Sequence, residues 1–187
     1  ASKISASGRL PISIEARPED NPTYDNYYVE KPMTKRGHST LNVTYGEGIF
    51  VGYRGYEKKG VSPLYPFGHG LTYTSFEYSD LMVSRNGDGV DVTLTVTNTG
   101  EYDAAEVVQV YVGEDNPCVA RPAKELKGYD KVFIPKGESA VVTVRLPRSA
   151  FAFYDVDIHD WRINPGSFTI MVGASSQDIK LKEHIIL

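Results

Sequence analysis

Two glutamates, Glu47 and Glu57, flank a glycine- and tyrosine-rich stretch and are the first candidates for chemistry in this sequence of 187 residues. Two carboxyl groups held close together in a pocket that excludes bulk water can act as nucleophile and general acid/base. The alternative is that each glutamate forms a salt bridge or lies in a solvated loop. Arg54 lies between them, and we interpret it as a structural ion-pair or stacking residue. His69, between two glycines, indicates a backbone constraint with a satisfied imidazole.

Three aspartates, Asp155, Asp157 and Asp160, superficially suggest a loop that binds a cation. A calcium loop of the helix-loop-helix type needs glycine at its sixth position and glutamate at its twelfth, and this segment has Asp160 and Pro165-Gly166 instead. We therefore predict a solvated loop between strands and no metal site. The histidines show no ligand spacing; they are His38, His69, His159 and His184. Gly46-Glu47-Gly48 lacks the spacing of a phosphate cradle, so no cofactor is predicted.

Aromatic residues are numerous, with thirteen tyrosines and a single tryptophan. Several of them could line a sugar-binding face if exposed together, but packing within the strands is the preferred prediction; they are Tyr102, Tyr111, Tyr129, Tyr154 and Trp161. The single cysteine, Cys118, excludes an internal disulfide and is predicted to be a free thiol in a loop. Asn42-Val43-Thr44 satisfies the N-glycosylation pattern.

Composition indicates an ordinary globular protein, with 41% apolar and 24% charged residues. The length suits one full domain and something smaller. A net charge of −4 gives no reason to expect nucleic acid or an anionic membrane as partner. No run approaches the roughly 18 apolar residues that span a bilayer. The first residues lack the apolar stretch of a signal peptide, which leaves localisation open if the chain is part of a longer protein.

From about residue 76 the apolar residues alternate with polar ones, as in Val90, Val92, Leu94 and Val96. The same period of two recurs near residues 108–112, 140–146 and 168–172, with turn residues between the runs. Six or seven short strands without a helical stripe predict a mainly β fold, an antiparallel β-sandwich. Because the cysteine pair of an antibody-type domain is missing, the fibronectin type III-like variety fits better.

Residues 1–75, termed here the lead segment, have a different character. Prolines and glycines interrupt them, and only residues 49–51 suggest a short buried strand. The lead segment has too few periodic apolar positions to bury a core by itself. We therefore interpret residues 1–75 as the loop-rich end of a preceding domain and residues 76–187 as the sandwich.

Three stretches resemble the β-glucosidases of glycoside hydrolase family 3. The first is GRLP at residues 8–11, and the second is YGEGIFVGYRGYEKKGVSPLYPFGHGLTYT at residues 45–74. The third is spread over the sandwich as TVTNTGEYDAAEVVQVYV, RPAKELKGYDKV and PGSFTIMVGASS. The resemblance implies the end of an α/β sandwich domain followed by a fibronectin type III-like domain, at the C-terminal portion of a larger enzyme.

The resemblance also implies a retaining β-glycosidase that acts on short β-glucosides through two carboxyl groups about 5 Å apart. In that family the nucleophile is an aspartate of an N-terminal barrel, and the acid/base glutamate lies early in the second domain. Neither maps onto this sequence, so no catalytic residue is predicted here. A salt bridge or a solvated loop is accordingly the preferred interpretation of Glu47 and Glu57, and the chain alone is expected to be inactive.

The expected partners are the remaining catalytic domains of the same enzyme and, through them, a β-glucoside. Residues 121–131 are expected to face those domains, because they mix charges with Pro122 and Tyr129 outside clear strand alternation. Two alternatives stay open. The sandwich could be a non-catalytic carbohydrate-binding module, or it could form a subunit contact in a homo-oligomer.

Overall fold

A computed structural model describes residues 4–27 and 44–187 of the chain, so Asn42 and His38 lie outside the described residues. The described helices are short: a 3-10 helix Pro18–Asp20, α1 Tyr24–Tyr27, α2 Tyr53–Lys59 and a 3-10 helix Arg148–Phe151. The strands are β1 Phe76–Asn86, β2 Gly89–Asn98, β3 Ala104–Glu114, β4 Glu125–Ile134, β5 Ser139–Leu146, β6 Phe153–Asp155, β7 Asp160–Arg162, β8 Ser167–Gly173 and β9 Ile179–Ile186.

Seven of the strands in the described part of the chain form two antiparallel sheets. One sheet has the order β1-β2-β5 and the other the order β4-β3-β8-β9, while β6 and β7 form a separate hairpin. The predicted mainly β fold and antiparallel sandwich are therefore confirmed. Among the described residues no helix is both long and apolar enough to cross a bilayer.

The core lies between the two sheets and comes from the alternation seen in the sequence. Val90, Val92, Leu94 and Val96 of β2 are at most 1% exposed. They meet β3 and β8 across the interior, where Phe168 packs edge-on against Phe151 with ring centroids 5.3 Å apart. The polar residues between them stay on the outer face, where Thr93 bonds the hydroxyl of Thr143 at 2.9 Å. Period-two patterning thus decides which side of each strand is buried.

Strand β4 corrects one expectation. Residues 121–131 were expected to lie outside strand alternation, but β4 covers Glu125–Ile134. β4 is an edge strand whose side chains are mostly exposed or half-buried, so it lacks the apolar period of an inner strand. Because β4 lies at the edge of its sheet, its sequence lacks the alternation from which a strand would be predicted.

The prediction of a short buried strand at residues 49–51 is wrong. Gly48 and Gly52 have positive φ angles of 56° and 55°, which break an extended run. Ile49 and Val51 are 49% and 37% exposed, and α2 begins at Tyr53.

The described part of the lead segment has almost no core of its own. Tyr56 is its only aromatic or branched aliphatic side chain less than a tenth exposed. Many others are more than a third exposed: Ile4, Ile12, Ile14, Tyr27, Tyr45, Ile49, Val51, Leu64, Tyr65, Leu71 and Tyr73. The described part of the lead segment therefore exposes most of its large apolar side chains.

Two adjacent valines of β5 test this assignment of faces. Val142 is 2% exposed and pairs in register with Leu94, whereas Val141 is 72% exposed. Val142→Ala is expected to lower the free energy of unfolding by about 2 kcal/mol, since it removes buried methyl groups and leaves a cavity. Val141→Ala should change it by less than about 0.5 kcal/mol. Urea unfolding followed by circular dichroism measures both, and equal losses would contradict the assigned faces.

Candidate functional site

The two glutamates considered as a carboxylate pair have separate partners. Glu47 accepts a hydrogen bond from Asn26 Nδ2 at 2.7 Å. Glu57 lies on α2 and forms an ion pair with Lys124. Arg54 of the same helix lies 3.5 Å from a carboxylate oxygen of Glu125, so its interpretation as a structural ion-pair residue is confirmed. These contacts give the two glutamates separate structural partners, which agrees with the preferred interpretation of a salt bridge for Glu57.

The aspartates of the 155–160 segment lie on the β6–β7 hairpin, as the predicted loop between strands requires. Asp155 accepts a hydrogen bond from the backbone N–H of Asp157 at 3.0 Å and pairs with Arg162 at 3.1 Å, and these contacts lower the pKa of Asp155. Among the described residues no group of three or more His, Cys, Asp or Glu is arranged to hold a metal ion.

The prediction that the five aromatics pack inside the strands is right for Tyr111 and wrong for the others. Tyr111 is fully buried, whereas Tyr102, Tyr129, Tyr154 and Trp161 are 58%, 69%, 49% and 67% exposed. These four lie in a loop, on an edge strand and on a hairpin outside both sheets, so strand packing does not reach them. Cys118 is an exposed free thiol, with Asn164 Nδ2 3.0 Å from its sulfur.

A buried polar cluster joins the lead segment to the sandwich, and we call it the Arg9 cluster. Arg9 Nη2 donates to both carboxylate oxygens of Glu106 at 2.6 Å, and Tyr78 Oη donates to the same carboxylate at 2.9 Å. Glu106 is 2% exposed and shares the inner face of β3 with Val108. Burial raises the pKa of Glu106, while the positive charge of Arg9 opposes the shift. Burial, with Glu106 nearby, also raises the pKa of Tyr78.

The outer face of β3 is covered by the lead segment. Gln109 Nε2 donates to the carbonyl oxygens of Gly68 and Ala174 at 3.0 and 2.7 Å, and its Oε1 accepts from Tyr111 Oη at 2.6 Å. Gly68 has a φ of 81°, and a Cβ there would lie 2.0 Å from Gln109 Oε1, so this position requires glycine. Tyr53 packs edge-on against Tyr111 with ring centroids 6.1 Å apart.

A third set of contacts joins α2 to the start of β4. The backbone N–H of Leu126 donates to Tyr53 Oη at 2.9 Å, next to the Arg54–Glu125 and Glu57–Lys124 ion pairs. Arg121 lies behind them, with 6% of its side chain exposed, and pairs with Glu114 at 2.7 Å. Residues 124–126 thus contact the lead segment, and Arg121 supports them from within the sandwich.

No sequence pattern predicted a structural or functional role for Arg9, Glu106 or Gln109. The sequence does contain one indication for Gln109. Residues 107–112 form an almost continuous apolar run that only Gln109 interrupts. Such a run is typical of a strand buried on both faces, where a polar residue needs a specific partner.

His69 has its predicted backbone role. Its carbonyl oxygen accepts a hydrogen bond from Leu10 N–H at 2.8 Å, and its ring lies 5.3 Å from that of Tyr65. Gly70 leaves no room for a side chain, since a Cβ there would lie 2.4 Å from the carbonyl oxygen of Gly8. The GRLP and FGHG stretches therefore lie side by side and present Arg9 to the sandwich.

Comparison with known proteins shows which protein family this chain resembles. Residues 106–176 match the family model of the fibronectin type III-like domain. The thermostable beta-glucosidase B of Acetivibrio thermocellus is 42% identical over 187 residues, which cover 98% of this chain and 24% of that protein. The crystal structure of a GH3 beta-glucosidase from Bifidobacterium adolescentis has a TM-score of 0.86 at 42% identity, covering 99% of this chain and 26% of that one. The chain belongs with the C-terminal part of the glycoside hydrolase family 3 β-glucosidases.

This finding confirms the family resemblance found in three stretches of the sequence. A family relative with another named activity, an exo-α-(1→6)-L-arabinopyranosidase of Bifidobacterium breve, is 44% identical over 178 residues, or 95% of this chain and 22% of that protein. The chain spans about a quarter of the length of the family 3 relatives it matches.

The Arg9 cluster can be tested by a double-mutant cycle. Glu106→Gln keeps an acceptor for Tyr78 but leaves the Arg9 charge, only 15% exposed, without a counter-ion. The free energy of unfolding is expected to fall by about 3 kcal/mol, as for other buried ion pairs that lose one partner. Adding Arg9→Met removes that charge and should restore part of the loss. Urea unfolding measures the single variants Glu106→Gln and Arg9→Met and the double variant, and purely additive losses would show that the two residues are not coupled.

The α2 contact can be tested by charge reversal and rescue. Lys124→Glu sets two carboxylates against each other and should destabilise the docking of α2 by about 1 kcal/mol, because Glu57 remains a third exposed. Amide hydrogen exchange of α2 should speed up, and Glu57→Lys in the same chain should slow it again. Lys136→Glu is the matched control, since Lys136 pairs with Glu101 within the sandwich. Unchanged exchange in Lys124→Glu would argue against the contact.

Proposed function

We propose that this chain is the structural C-terminal part of a retaining glycoside hydrolase that acts on short β-glucosides. In this proposal residues 1–75 complete the second domain of the enzyme, and residues 76–187 form the sandwich that braces it. The observation that carries the proposal is the Arg9 cluster, in which a charged residue of the lead segment enters the interior of the sandwich. A buried ion pair fixes one relative position of the two parts, because displacement would leave a charge unpaired.

The catalytic carboxylates belong, in this proposal, to the upstream part of the polypeptide. Retaining hydrolysis needs two carboxyl groups about 5 Å apart. Glu47 and Glu57 are engaged with Asn26 and Lys124 instead. The pKa of Glu106 is raised, which is typical of some general acids, but both of its oxygens bind Arg9 in a closed interior. No substrate can reach Glu106 without removal of the lead segment.

The identity of the sugar is a separate part of the proposal. Relatives that match almost the whole chain are named as β-glucosidase and as arabinopyranosidase. A bracing sandwich is compatible with both, since specificity would depend on residues near the reacting sugar. We favour a β-glucoside because β-glucosidases recur among the relatives and the structural matches.

A second candidate is a non-catalytic carbohydrate-binding module, which the exposed aromatics favour. Tyr154 and Trp161 are exposed neighbours with ring centroids 5.8 Å apart. Their planes are 80° apart, whereas a flat stacking platform for a glycan needs rings that lie parallel. Retention of the chain on a β-glucan affinity gel, lost in Trp161→Ser, would favour this candidate over the bracing role.

Hydrolysis of a chromogenic aryl β-glucoside tests the main proposal. The 187-residue chain alone is expected to show no turnover above buffer, because it lacks a carboxylate pair, whereas the complete polypeptide should hydrolyse the substrate. In the complete polypeptide, Glu47→Gln with Glu57→Gln should leave kcat within about twofold, as expected for residues outside the reacting centre. Turnover by the chain alone, abolished by the same two substitutions, would overturn the proposal.

A further inference from the structure

The β6–β7 hairpin stands apart from both sheets and exposes apolar side chains. Tyr154, Val156, Ile158 and Trp161 are between 49% and 69% exposed. Four large apolar groups are thus exposed within ten residues, and concentrations of exposed apolar side chains mark interaction sites.

Side-chain contacts within the hairpin and at its base define its shape. The Asp155–Arg162 ion pair ties its two strands together at 3.1 Å, and Tyr154 packs edge-on against Trp161. Arg121 supports its base by donating to the carbonyl oxygen of Phe151 at 3.1 Å, close to the ring of Phe153. Little conformational entropy is therefore lost when a partner covers the patch.

The hairpin borders a cavity of about 470 Å³, which we call the hairpin groove. Its apolar walls include Val119, Tyr154 and Trp161 from the sandwich and Ile49 from the lead segment. Arg54 of α2 also lines it. The groove is therefore continuous with the interface through which the lead segment docks on the sandwich.

We propose that the hairpin groove and the β6–β7 hairpin are a docking surface for the upstream part of the same polypeptide. The proposal rests on the proposed function, in which the lead segment ends a larger domain. The family 3 relatives are about four times longer than this chain, so most of such a polypeptide lies outside it. Because Ile49 joins that domain to the groove, the body of the domain lies on the side of the sandwich where the hairpin projects. Trp161 is the central apolar anchor of this contact.

Hydroxyl-radical footprinting read by mass spectrometry tests the burial of Trp161 directly. The 187-residue chain and the complete polypeptide are labelled under the same conditions. Oxidation of Trp161, 67% exposed in the chain, is expected to fall about fivefold in the complete polypeptide, as for a side chain that becomes an interface anchor. Met82, 64% exposed on β1 of the other sheet, is the internal control, and its oxidation should not change.

Substitution supplies a second measurement. Trp161→Ser in the complete polypeptide should speed thermal inactivation about tenfold, because an interface anchor is lost, while kcat/KM at 25 °C stays unchanged. Met82→Ser, on β1 of the other sheet, should leave both quantities unchanged. Because both variants alter exposed side chains, folding of the sandwich itself is preserved.

Several results would overturn the proposal. Equal oxidation of Trp161 in the chain and in the complete polypeptide would show that the upstream part does not cover it. Protection that appears only with added β-glucan oligosaccharide would make the patch a glycan site, and protection that depends on protein concentration would make it a contact between copies. Failure of the complete polypeptide to hydrolyse any aryl glycoside would remove the proposed function, whereas protection of Trp161 would still establish docking.

Discussion

Strand β3 is buried on both of its faces, and the arrangement of the whole chain depends on this constraint. Its inner face, with Val108, Val110 and Val112, belongs to the sandwich core. Its outer face carries Gln109 and Tyr111, which the lead segment covers. A strand buried on both sides cannot leave a polar group without a partner, since an unpaired buried amide or hydroxyl costs about 1–3 kcal/mol. The amide of Gln109 therefore requires the carbonyl of Gly68 at one position, and this requirement sets where the lead segment lies.

The Arg9 cluster adds specificity to this packing more than it adds stability. Taking a guanidinium and a carboxylate out of water is costly, and an apolar pair of similar volume would often be as stable. The ion pair nevertheless discriminates strongly between arrangements, because Arg9 binds both oxygens of Glu106 and Tyr78 binds the same carboxylate. Apolar contacts alone tolerate sliding, whereas two short charged hydrogen bonds do not. The lead segment, with little core of its own, thus takes its position from the sandwich.

The sequence predicted much of the sandwich and little of the contact between the two parts. β2 and β5 follow from period-two alternation because one face of each strand is less buried than the other, whereas β8 alternates only over its first four residues. β4 escaped notice because an edge strand obeys no such rule, and the exposed Tyr129 and Trp161 were assigned to packing because ring type does not reveal the direction of a side chain. The partners of Arg9 and Gln109 are 97 and 41 residues away, and no local pattern encodes pairs at that separation. The family resemblance marked GRLP and FGHG as meaningful stretches, but their physical reason required the three-dimensional contacts.

The way in which the lead segment is attached to the sandwich also explains why many of its apolar residues are exposed. Ile12, Leu64 and Leu71 of the lead segment are 60%, 57% and 74% exposed, although the segment is firmly attached to the sandwich. Attachment uses the hydrogen-bonding groups of the lead segment and a few of its rings, so its aliphatic side chains remain free to join another core. A segment that gives its polar contacts to one neighbour and its apolar side chains to another connects the two. In the proposed function, the lead segment thereby couples the position of the preceding domain to that of the sandwich.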